Sequence, residues 1–161
     1  MKRNIFNIWL LILIAIALSV GSVSSQSYKY GNVAFGGGGF VSAVITCPTE
    51  QNLIYARTDV GGAYRWVEST KSWTPLTDWV SDEQTGFLGV EALAIDESTP
   101  SKLYMLVGIS YFNSGKTAIL RSSDYGATFE YKEVTSSFWA HGNGMGRQNG
   151  ERLAVDPNKG S

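Results

Sequence analysis

Hydrophobic residues in this chain fall into short runs separated by clusters of turn-forming residues, at 40–45, 53–56, 90–95, 103–107, 118–120 and 153–155. Each run has the length of a strand, and no window there sustains a 3.6-residue period. The segments between them are rich in Gly, Ser, Thr and aromatic residues, which suit turns and pleated surfaces. Residues 26–161 are therefore expected to be all-β: a sandwich, a barrel or a propeller.

Repetition narrows the choice. Ala43-Val44-Ile45-Thr46-Cys47-Pro48 leads into Asn52-Leu53-Ile54-Tyr55. Leu93-Ala94-Ile95-Asp96 leads through Pro100 into Lys102-Leu103-Tyr104-Met105, and Leu153-Ala154-Val155-Asp156-Pro157 opens a third copy. Aligned on Ile45, Ile95 and Val155, the copies start 50 and 60 residues apart. A period in that range predicts propeller blades, each a four-stranded sheet. Two blades and the opening of a third fit after residue 25. A propeller closes with roughly four to eight blades, since an open ring leaves edges and apolar faces uncovered. The chain is thus expected to be the N-terminal fragment of a longer protein, truncated inside a repeat.

Two turns carry candidate chemistry. SSDYGATF (122–129) fits the Ser/Thr-x-Asp-x-Gly-x-Thr-aromatic pattern called the Asp-box, which recurs in propeller hairpins. There Asp124 is expected to accept turn amides, with Gly126 taking the strained dihedral, and its role is structural. RTDVGGAYRW (57–66) places Asp59 between an apolar strand and an aromatic-rich one, with Gly61-Gly62 reversing the chain. It is expected to be a degenerate version of the same turn in the preceding blade. Asp59 either caps its hairpin or is presented at a groove; Thr58 and the amides of Gly61 and Gly62 are its expected partners.

The N-terminus changes the compartment rather than the fold. Lys2 and Arg3 precede an uncharged apolar run at 8–18, and Gly21, Ser22, Ser24 and Ser25 follow. That is the pattern of a secretory signal peptide over residues 1–25, too short to span a bilayer comfortably. The mature chain is expected to be secreted and extracellular, with no membrane association. The whole chain carries 13 basic and 14 acidic residues, and losing Lys2 and Arg3 leaves 11 against 14. Without a basic block, a nucleic-acid partner is not expected, and a neutral polysaccharide fits better. Cys47 is the single cysteine, so no internal disulfide can form. It reads as a buried strand residue.

Other signals fail. Ser114-Gly115-Lys116-Thr117 ends like a phosphate-binding loop, but Ser110 stands where the upstream glycine is needed and no helical pattern follows. His141 is the one histidine, which leaves little support for a His-based metal cluster or a serine triad. Asp96 and Asp156 sit in equivalent turns and read as structural. No metal and no cofactor are expected.

The ordered succession RTDVGGAYRW, WTPLTDW (73–79), AILRSSDYGATF (118–129) and NGERLAVDPN (149–158) resembles the N-terminal region of glycoside hydrolase family 74. The resemblance covers about 30–161. It implies two seven-bladed propellers facing across a cleft, of which this chain holds the first two to three blades. It implies a xyloglucan-specific endo-β-1,4-glucanase or a related reducing-end-specific cellobiohydrolase that inverts anomeric configuration with two aspartates. The first maps onto Asp59 as general base; the acid lies in the second propeller, beyond Ser161. A fragment lacking it is expected to be inactive alone. The partners implied are a plant cell-wall polysaccharide, xyloglucan or a related β-glucan, and the missing C-terminal propeller of the same polypeptide.

Sugar rings pack on aromatic faces while their hydroxyls bond to polar neighbours. Candidate substrate-binding residues are Tyr64, Trp66, Trp79, Tyr111, Phe112 and Trp139; Trp66, with Trp73, reads first as a core or inter-blade residue, and each of the others lies either in the groove or in the core. The glycine-rich loop HGNGMGRQNGER (141–152) either lines the cleft through Asn143, Arg147 and Gln148 or is an ordinary surface connection. Read without the resemblance, the chain also fits a non-catalytic Asp-box propeller module binding carbohydrate or protein.

Overall fold

The computed structural model describes residues 37–109, 116–135 and 138–158. The leader, Tyr111 and Phe112 lie outside the described residues. Eight strands follow in order: β1 (Val41–Thr46), β2 (Ile54–Thr58), β3 (Ala63–Val67), β4 (Ser72–Pro75), β5 (Val90–Ile95), β6 (Leu103–Gly108), β7 (Thr117–Ser122) and β8 (Glu130–Glu133). They form two antiparallel sheets, β1-β2-β3-β4 and β5-β6-β7-β8, each pairing neighbours in sequence order. These are two blades of a β-propeller. A 3-10 turn, Asp82–Leu88, lies between them, and a second, Met145–Gln148, follows β8.

Strand register refines the repeat. Ile95 pairs with Leu103, while the Cys47 amide donates to the Leu53 carbonyl. Cys47, not Ile45, therefore matches Ile95. The first strands are offset by 48 residues and the second strands by 50, because the β5–β6 turn is two residues longer. Cys47 is buried, as expected, but lies one residue beyond the end of β1. The expected third strand at 153–155 makes no ladder, since a strand needs a paired neighbour and the described residues contain none there. Leu153 instead packs against Ala92, Leu106 and Ala140.

Burial explains which strands the hydrophobic pattern revealed. All six residues of β5 are buried, whereas all four of β8 are exposed. An inner strand is covered on both faces and needs an apolar run; an outer strand faces water and shows none. One face of the second blade packs on the first, joining Leu53, Tyr55 and Ala63 to Phe87, Leu93, Leu103, Met105 and Leu120. Each large side chain buried there contributes roughly 1.5–3 kcal/mol. Trp66 and Trp73 belong to neither core cluster. They pair across β3 and β4, edge to face at 5.5 Å, and are half-buried where the outer strands meet solvent.

Successive turns of an antiparallel meander alternate between the two ends of the sheet, which decides the fate of the two aspartate turns. The 122–129 turn joins β7 to β8. Its counterpart in the first blade is the β3–β4 turn, where Lys71 adopts φ 52° as Tyr125 adopts 59°. RTDVGGAYRW instead holds the β2–β3 turn, at the opposite end of the blade. The expected equivalence of these two turns is thus corrected by strand order.

Candidate active site

The end of the blades that carries Asp59 collects every long connection among the described residues. The Gly62 amide donates to Leu88, Gly108 to Gly89, Gly142 to Gly108, and the Asp59 amide to Phe40. These bonds draw together the glycine segment before β1, the β2–β3 turn, the link between blades and the 141–152 loop.

Within the β2–β3 turn, Thr58 does the closing. Its Oγ accepts the Gly61 amide at 2.8 Å and donates to the Gly62 carbonyl at 2.8 Å. Both glycines are required by close approach: a Cβ at Gly61 would stand 1.8 Å from the Gly38 carbonyl oxygen. One at Gly62, where φ is +79°, would stand 1.7 Å from Thr77 Oγ.

The expected partners of Asp59 are therefore replaced by distant ones. Oδ1 accepts the Phe40 amide at 2.7 Å, and Oδ2 accepts Arg147 Nε at 2.6 Å. Arg147 Nη2 lies 2.6 Å from the same oxygen and also donates to Asn143 Oδ1. Asp59 is 2% exposed, so the pair is screened from water on the carboxylate side, while the guanidinium is partly exposed.

The other expected site residues separate. Asn143 joins Asp59 and Arg147, and Gln148 is exposed on the same 3-10 turn. Tyr64 is buried beneath the turn, its hydroxyl donating to Gly61 at 2.8 Å, and burial with nearby Asp78 holds its phenol above the ordinary range. Trp79 stacks on Phe129 with ring centroids 6.2 Å apart, which takes it to the Asp124 turn rather than to Asp59. Trp139 is half-exposed beside Ala140, whose amide donates to Thr117 Oγ.

Four charged residues unremarked in the sequence anchor the 141–152 loop. Arg57 is 1% exposed; its Nε donates to Glu151 at 2.7 Å, Nη1 to Ser42 Oγ and Val90, and Nη2 to Gly150. Glu151 in turn accepts the Leu93 amide at 2.7 Å. Glu91, fully buried at the β5 bulge, accepts the His141 amide at 2.6 Å and pairs with Arg152 at 3.0 Å, an ionic contact not aimed as a hydrogen bond. One signal was visible: a lone charge inside an apolar strand run, as at Arg57 and Glu91, must be paired when buried. Three arginine–carboxylate pairs thus clamp the loop over this end.

No family model matches the chain. It is 42% identical over 144 residues to the oligoxyloglucan-reducing end-specific xyloglucanase of Emericella nidulans, covering 89% of this chain and 17% of that protein. A xyloglucanase from a Paenibacillus species is 45% identical over 159 residues, covering 90% of this chain and 15% of its own length. Among solved structures, a family 74 enzyme from Niastella koreensis matches with TM-score 0.73 and 58% identity, over 80% of this chain and 18% of that one. This chain belongs to glycoside hydrolase family 74. The family 74 xyloglucanase of Xanthomonas campestris agrees, with TM-score 0.72 and 46% identity over 83% of this chain and 19% of that one. The chain spans about a sixth of the length of the curated relatives it matches.

Proposed function

We propose that this chain is part of a secreted, xyloglucan-cleaving glycoside hydrolase in which Asp59 is the general base. The observation that carries the reading is the convergence on Asp59 of a glycine turn, a distant arginine and the 141–152 loop, in a chain whose relatives are named xyloglucanases. Inverting hydrolysis needs one carboxylate to activate water and a second, roughly 6.5–9.5 Å away, to protonate the leaving oxygen. The nearby acidic residues Glu91 and Glu151 are committed to arginines and backbone amides, which suits them to structure rather than to proton transfer. As the family resemblance implies, the acid is assigned to a part of the enzyme that this chain does not span. The N-terminal leader would deliver the protein outside the cell, where its plant polysaccharide substrate lies.

The test compares the 161-residue chain with the intact polypeptide that contains it. The intact protein should release reducing ends from xyloglucan and the chain alone should not. Release by the chain alone would remove the need for an acid elsewhere, and an intact protein that binds xyloglucan without cutting it would favour a binding module.

A further inference from the structure

We infer that Arg147 is a positioning residue: it fixes the Asp59 carboxylate so that Oδ1 is the oxygen offered to the attacking water. The inference rests on Asp59 being the base. A carboxylate has about four lone-pair directions, two on each oxygen. Arg147 Nε donates to Oδ2 at 2.6 Å, and Nη2 of the same guanidinium stands 2.6 Å from it, so Oδ2 faces the cation twice. Oδ1 accepts the Phe40 amide and, among the described residues, no second donor.

The backbone of Gly39 lies beside Oδ1. A Cβ at Gly39 would come within 2.9 Å of it, and Gly39 holds φ at +97°. Glycine there keeps a side chain off the oxygen that Arg147 does not occupy. The guanidinium is itself held, since Nη2 donates to Asn143 Oδ1 within the same loop. The loop is tied on both sides of Arg147, by the His141 amide on Glu91 and by Glu151 on Arg57. A planar fork fixed in this way sets both the distance and the rotation of its carboxylate, which a lysine ammonium cannot do.

In the reaction, a proton of water passes to Oδ1 while the water oxygen bonds to the anomeric carbon. The glycosidic carbon–oxygen bond breaks, and the leaving oxygen takes a proton from the second carboxylic acid. Arg147 touches no reacting atom in this step, so its loss should affect the rate rather than substrate affinity. That separates the inference from the expectation that Arg147 bonds sugar hydroxyls, under which the affinity would fall.

The experiment uses the intact enzyme on xyloglucan, with Arg147→Ala, Arg147→Lys and Asp59→Asn. Arg147→Ala should lower kcat roughly 100-fold with KM little changed. Millimolar guanidinium should restore part of that activity in Arg147→Ala and none in Asp59→Asn, and Arg147→Lys should remain below wild type with an unchanged thermal midpoint. A raised KM at constant kcat, an unchanged or higher kcat, or no guanidinium rescue in a folded Arg147→Ala would overturn the inference. Those results alongside an inactive Asp59→Asn would overturn it alone. An Asp59→Asn variant with wild-type turnover would overturn it together with the assignment of the base.

Discussion

Asp59 and Asp124 each sit in a glycine turn on an adjacent blade, yet they are held in opposite ways. Asp124 is satisfied by its own turn: Ser122 Oγ donates at 2.7 Å, the Thr128 amide at 2.9 Å and Thr128 Oγ at 2.6 Å. These bonds hold its carboxyl down to about 2. Asp59 takes its partners from 19 and 88 residues away, Phe40 and Arg147, and is buried by them. A carboxylate capped locally takes its donors from its own turn and needs no distant partner. One assembled from distant segments exists only in the finished fold, where a second ligand or a water can be arranged around it. The contrast also follows chain direction, since β2–β3 and β7–β8 turns point to opposite ends of the blades.

The sharpest way to break this contrast is to neutralise each carboxylate in the intact enzyme. Asp59→Asn should lower kcat on xyloglucan by about 10²- to 10⁴-fold, the range for loss of a general base, with substrate still bound. Asp124→Asn should leave kcat unchanged and lower the thermal midpoint. Equal losses of turnover from both would erase the distinction.

A smaller effect separates the two turns by their glycines. Gly62→Ala forces a side chain onto Thr77 at a positive φ and should cost about 2–3 kcal/mol in urea unfolding. Gly126→Ala meets only side-chain ends, Leu76 at 3.0 and 3.1 Å and Leu103 at 3.4 Å, and should cost about 1 kcal/mol, mostly for its φ of +87°.

The smallest effect is in pH. The folded Asp124 carboxyl titrates below an unfolded aspartate, near 3.9, so its contribution is complete above that pH and drains as pH falls toward 2. Thermal midpoints of wild type should therefore fall across pH 4 to 2 more steeply than those of Asp124→Asn. Parallel curves would show that the turn is not held by the ionised carboxyl.

Much of the fold could be read from residue order. The apolar runs marked β1, β2, β5, β6 and β7; β2, β5 and β6 are apolar because they are largely buried, whereas β1 carries its run with Val41 and Val44 exposed. The aromatic alternation at Tyr64 and Trp66 marked β3. The outer strands β4 and β8 escaped notice because they face water. The Asp124 turn was legible as a local cap, since all its partners lie within four residues: an amide donor was expected and Thr128 supplies one, while the hydroxyls of Ser122 and Thr128 were not foreseen.

The site was legible in parts only. The sequence named Asp59, Asn143 and Arg147 without showing that they meet, offered Trp79 as a candidate without showing that it stacks on Phe129, and gave no account of Arg57 or Glu91. By itself it determined an all-β repeat of blade length, a local aspartate cap and membership in a family. Which end of a blade each turn occupies, and that Arg147 closes on Asp59, were decided by the tertiary structure. Strand order sets the first, and the second is a contact across 88 residues that no local pattern encodes.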